Sequence, residues 1–219
     1  MSGRRTVKGM RYNGPLHRLD IFRLVEKTEP LVERMDEIKR KLLDTFGPVF
    51  FMRELAKTRR HMGVTLLHGS EVTYWADREP AFAARPGDEV ENRIRRSIPT
   101  HSKAVSLTTD SSPLLLGGDS GAQHLSLPFT SHNQIVENEL TAVRDTFGKL
   151  VNPVVPPFAG RISTYGDNHP EHLTVATFLE GGLHQQDVED LDIAIGRLTV
   201  GPADFWYHPV MPQASRRAS

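Results

Sequence analysis

The 219-residue chain contains no cysteine, so it can form neither a disulfide nor a thiolate metal site. That absence fits a reducing compartment. Aromatic residues make up only 7% of the chain, with two tryptophans. No apolar run approaches the 18 or so residues of a transmembrane helix, which argues against a membrane-spanning role. The opening Met-Ser-Gly-Arg-Arg has no apolar leader, so the expectation is a cytoplasmic or nuclear protein that is not secreted. Net charge is also lacking, since 27 Lys and Arg balance 27 Asp and Glu. The balance hides an asymmetry: residues 1–62 hold 15 of the basic residues but only 8 of the acidic ones. A basic segment before an acidic body points either to a polyanionic partner or to charge pairing within the chain.

Two short patterns carry the chemistry. His124-Leu-Ser126-Leu and His172-Leu-Thr174-Val each set a histidine and a hydroxyl two residues apart in a β-like run. Strand side chains alternate faces, so each pair shares one face and the leucines point to the other. Two such pairs in one groove suit metal-free acid–base work on a phosphodiester, one imidazole as base and the other as acid. His208 is a third candidate for that role. Arg161 alternates with inward strand positions and is a candidate phosphate ligand. Tyr165 and Trp206 are candidates for stacking on substrate. Lys39, Arg40, Lys41, Arg59 and Arg60 are the candidate nucleic-acid contacts of the basic segment. His61, His68 and Glu71 lack a compact ligand signature, so no metal or other cofactor is expected. Gly118-Asp-Ser120-Gly121 resembles the nucleophile segment of chymotrypsin-like enzymes, but residues 1–60 hold too little strand for a double barrel.

Pro30 and the spacing of Leu31, Met35, Ile38, Leu42 and Phe46 predict a helix closed by Gly47-Pro48. Strands are predicted at 62–67, 71–75, 103–108, 124–129, 158–165, 173–179 and 199–207. Helices are predicted after Gly87, after the Ser131–Gln134 capping box, and over 185–198. Residues 111–123 are expected to be a loop. The expected architecture is α+β, with antiparallel-rich sheets and flanking helices. A basic helical extension would cover 1–60, the α+β domain 61–211, and a disordered tail 212–219.

From 124 onward, His124-Leu-Ser-Leu-Pro-Phe129, the helix after it and Phe158–Tyr165 resemble the 2H phosphoesterase superfamily. That superfamily includes 2′-5′ RNA ligase-like proteins and snRNA 3′-end phosphodiesterases. The resemblance implies a metal-independent phosphodiesterase acting on RNA, an oligonucleotide or a cyclic phosphate, with Ser/Thr hydroxyls holding the phosphate. The second motif is open. His172 follows His124 by only 48 residues, and near 205–215 the chain offers His208 with Val210 in the hydroxyl position. Either pairing would serve an enzyme. The alternative is a non-catalytic structural or binding protein of a larger assembly, a ribonucleoprotein or a virus particle, using the basic arm. The expected partners are therefore RNA or a nucleotide, or an assembly of proteins, and not a membrane.

Overall fold

The computed structural model describes residues 18–56, 60–98, 102–117, 121–130, 133–151 and 172–208. In chain order the elements are β1 (Arg18–Val25), α1 (Glu29–Phe46), β2 (Phe50–Met52), β3 (Gly63–Leu67), α2 (Gly69–Ala76) and α3 (Pro80–Ala83). Then come α4 (Gly87–Ser97), β4 (Val105–Thr108), β5 (Leu114–Gly117), β6 (Gln123–Pro128), α5 (Gln134–Val151), β7 (His172–Phe178) and β8 (Arg197–His208). They form two four-stranded sheets, β3-β1-β8-β4 and β2-β7-β6-β5. All the strand pairs within these sheets are antiparallel. The protein is α+β, as its patterning implies.

Residues 18–52 are not an appendage. β1 sits inside the first sheet between β3 and β8, and β2 edges the second. α1 buries Leu31, Met35, Ile38 and Leu42, and its Phe46 ring meets Phe178 edge-on at 5.2 Å. An extension in sequence terms is therefore a central strand and a core helix, because its apolar stripe needs a partner surface that only the rest of the chain supplies. Gly47 ends α1 at φ +71°, donating its N–H to the Leu43 carbonyl at 2.9 Å.

Three other expectations meet a different structure. Residues 71–75, rich in β-formers, lie in helix α2, where Val72 is buried and Asp20 Oδ1 accepts the Gly69 N–H at 2.5 Å. Tertiary burial and an anion at the helix start outweigh propensity there. Residues 114–117, expected in a loop, pair with β6 as β5. Residues 185–198 do not form the expected helix: one 3-10 turn spans Gln185–Asp187, and β8 begins at Arg197. The apolar residues that signalled a helix are still used, with Val188, Ile193 and Leu198 buried. Carbonyls a helix would need are instead taken by α1: Arg34 Nε donates to Ala194 O at 2.8 Å and Lys41 Nζ to Asp192 O at 3.0 Å. The segment 158–165, expected as a strand, lies outside the described residues.

Among the described residues, two isolated bridges link segments that flank the two sheets. An isolated bridge joins Glu54 to His61, and another joins Thr109 to Phe129. A buried ion pair ties β1 to α5. Arg23 and Glu139 are both fully buried, with Nε at 2.7 Å from Oε2 and Nη2 at 2.6 Å from Oε1. The remaining Arg23 donors go to the Gly201 carbonyl at 2.7 Å, the Lys103 carbonyl at 2.9 Å and Ser102 Oγ at 3.0 Å. Five N–H donors meet five acceptors, which lets a charge sit in the core.

Candidate functional site

β6 alternates as its sequence demands. Leu125 and Leu127 are fully buried, in one core with Leu173 and Ala176 of β7. Burying each leucine contributes roughly 1.5–3 kcal/mol, and that energy fixes which face His124 and Ser126 take. Antiparallel partners point to the same side. His124 pairs with Thr177, Ser126 with Thr174, and Pro128 with His172. Between Leu125 and Ser126 the register shifts, leaving Val175 as an extra residue on β7. That bulge puts Thr174 and Thr177, three residues apart, on one face. Its carbonyl is used: Val175 O accepts the Arg53 N–H at 2.8 Å.

The face therefore carries His124, Ser126, Thr174, Thr177 and His172. His124 Nδ1 is 3.0 Å from Thr177 Oγ1, a hydrogen bond whose donor depends on the ring tautomer. It orients the half-buried imidazole. Ser126 Oγ lies 3.2 Å from Thr174 Oγ1. Ser126 is buried and Thr174 half-buried, so the serine supports the threonine hydroxyl. His172, half-buried, stands level with Pro128, four residues along β6 from His124. That is about 13 Å of strand at roughly 3.3 Å per residue.

Phe51 of β2 pairs with Thr177, which extends the same face to the sheet edge. The Arg60 guanidinium carbon lies 4.0 Å from the Phe51 ring centroid. The next residue, His61, packs on Phe22 at 4.0 Å between ring centroids and on Trp206 at 5.3 Å. Trp206 is thus buried among aromatic rings, 4.7 Å from Phe22. His208 is the last residue of β8, in register with Arg18.

Among the basic candidates, Lys39 and Arg40 are exposed on α1. Lys41 is ion-paired, with Nζ 2.6 Å from Asp192 Oδ2 and 3.8 Å from Glu37 Oε1. Arg34 joins this group through Glu37 at 2.6 Å and Asp192 at 3.1 Å. The hydrogen bond from Arg34 holds the Glu37 carboxyl below its ordinary value, and that from Lys41 does the same for Asp192. Part of the N-terminal positive charge therefore answers acids of the chain itself. Arg59, Arg161 and Tyr165 lie outside the described residues, as does Ser120. Among the described residues no three of His, Cys, Asp and Glu are grouped to hold a metal ion, so His61, His68 and Glu71 do not form such a set. No described helix is long and apolar enough to cross a membrane.

Thr177 and Phe51 are the members of this face that sequence patterning misses. Strict alternation from His172 and Thr174 assigns Thr177 to the opposite side. Only the bulge at Val175 reverses that, and no local signal in Thr-Val-Ala-Thr announces it.

No family model matches the chain, and no curated protein matches it. Among solved structures it is similar to Usb1 of Kluyveromyces marxianus, at 13% identity and a TM-score of 0.49, over 86% of this chain and 93% of that one. A structure of Kluyveromyces marxianus Usb1 with uridine monophosphate aligns at 16% identity and a TM-score of 0.40, over 74% and 72%.

Proposed function

We propose that the His124 face handles a phosphodiester, cleaving RNA, an oligonucleotide or a cyclic phosphate without a metal ion. The observation that carries this reading is the hydrogen bond between His124 Nδ1 and Thr177 Oγ1, beside the Ser126–Thr174 hydroxyl pair. As general base, the His124 imidazole, its ring oriented by Thr177, takes a proton from a water or ribose hydroxyl as that oxygen attacks phosphorus. The Thr174 hydroxyl, oriented by Ser126, donates to a non-bridging phosphate oxygen. A second acid then protonates the leaving oxygen, and His172 or His208 fills that role in this reading.

A second reading is favoured by the strand register. With His172 about 13 Å of strand away from His124, the pair does not bracket a single phosphorus from backbone position alone. A chain that binds a nucleotide at this face without turning it over fits that spacing.

Purified protein is incubated with 2′,3′-cyclic nucleotides and a short oligoribonucleotide in excess EDTA. Turnover is expected, and His124→Ala is expected to lower it by about 10²–10⁴-fold with an unchanged circular dichroism spectrum. Thr177→Val, which keeps the volume and removes the ring's partner, is expected to displace the pH–rate profile as well as lower the rate. Binding without turnover supports the second reading. Turnover that survives His124→Ala refutes the first.

A further inference from the structure

Arg60, just ahead of β3, lays a cation on the aromatic ring of Phe51 in β2. Arg60 is exposed and Phe51 half-buried, 4.0 Å apart from guanidinium carbon to ring centroid. Exposed arginines seldom hold one geometry, because long side chains lose rotamer entropy when fixed. Here the backbone is anchored at the Arg60 carbonyl and at the residue that follows. The Arg60 carbonyl accepts the Glu54 N–H at 2.6 Å, and the neighbouring His61 ring is wedged against Phe22 and Trp206. The result is a planar, positively charged surface in a set place.

That place bears on the His124 site. Phe51, Thr177 and His124 are register partners on three adjacent strands and share one face. Two strand spacings of about 4.8 Å separate Phe51 from His124. A guanidinium plane resting on a ring is a stacking surface for a nucleobase, and arginine offers it where lysine cannot.

We infer that Phe51 and Arg60 form a base-stacking subsite. It takes the nucleobase of the nucleotide whose phosphate lies at His124, and so it rests on the phosphodiester reading of that face. The subsite gives the face a preference for nucleotides over other phosphate esters. Stacking tolerates any base, so the preference is for the presence of a base more than for its identity.

Isothermal titration of the full chain with AMP and with ribose 5-phosphate, which lacks the base, tests this. The unaltered protein is expected to bind AMP about tenfold or more tightly than ribose 5-phosphate. Arg60→Lys keeps the charge and removes the plane. It is expected to hold ribose 5-phosphate as before and lose most of the preference for AMP. Phe51→Leu, with its circular dichroism checked, is expected to lose the same preference. Equal affinity for the two ligands, no binding of AMP, or an Arg60→Lys variant that keeps the full preference overturns the subsite. The two readings fail separately. A preference for AMP lost in Arg60→Lys, in a chain that turns over no phosphodiester, supports the subsite and removes the catalysis. Turnover lost in His124→Ala with the AMP preference intact in Arg60→Lys removes the subsite alone.

Discussion

Replacing Glu139 by Leu isolates what the buried ion pair does. Both side chains are fully buried, and the substitution leaves the Arg23 guanidinium charged with only two carbonyls and one hydroxyl around it. Removing one partner of a buried pair typically costs about 3–5 kcal/mol, mostly the penalty of the uncompensated charge. For a domain whose whole stability is about 5–15 kcal/mol, that is a large share. At roughly 2–4 °C per kcal/mol for a chain of this size, the melting midpoint is expected to fall by about 6–20 °C. The double variant Arg23→Met with Glu139→Leu removes both charges. It still strands the Gly201 carbonyl, which sits in a buried residue and loses its donor, at about 1–3 kcal/mol. The double variant is therefore expected to be more stable than Glu139→Leu alone. Urea unfolding of the unaltered protein, both single variants and the double variant measures this, with the m-value checked for constancy. A Glu139→Leu variant within about 1 kcal/mol of the parent, or a double variant as unstable as the two single losses added together, refutes the reasoning.

Two further outcomes are expected. The Glu37 and Asp192 carboxyls have folded pKa values below their ordinary ones, through hydrogen bonds from Arg34 and Lys41 respectively. Their stabilisation is present above the unfolded carboxylate range and is lost as pH falls through the folded values. Thermal midpoints of the parent and Asp192→Asn should accordingly converge below about pH 4, and a gap that widens with acid contradicts this. At Gly63 a Cβ would collide with the Arg23 carbonyl oxygen of the neighbouring strand. Gly63→Ala is expected to destabilise by about 1–3 kcal/mol, read by denaturant midpoint, and a neutral effect would show that β1 and β3 can part at no cost.

Much of the fold is legible from spacing. The α1 stripe, the Val90 and Ile94 stripe of α4, and strands β4, β6, β7 and β8 all follow from the spacing of their apolar residues, which the core takes up. Asn133 caps α5, its Oδ1 accepting from the Ile135 N–H at 3.0 Å and the Val136 N–H at 3.4 Å. The expected box began at Ser131, which lies outside the described residues. The failures share a cause. Residues 71–75 and 185–198 have local preferences that lose to partners far away in sequence: Asp20 for the first, Arg34 and Lys41 for the second.

For the candidate site, the sequence by itself determined that His124 and Ser126 share a face and that Leu125 and Leu127 bury the other. Alternation is a property of any strand, and hydrophobic burial sets its sign. The tertiary structure alone decided what stands beside them. Register and the Val175 bulge bring Thr177 to His124 and Thr174 to Ser126, while the same register sets His172 two pairs further along. Packing across the chain lays Arg60 on Phe51 at the edge of that face. These are pairings between strands, and no segment encodes its partner's register alone.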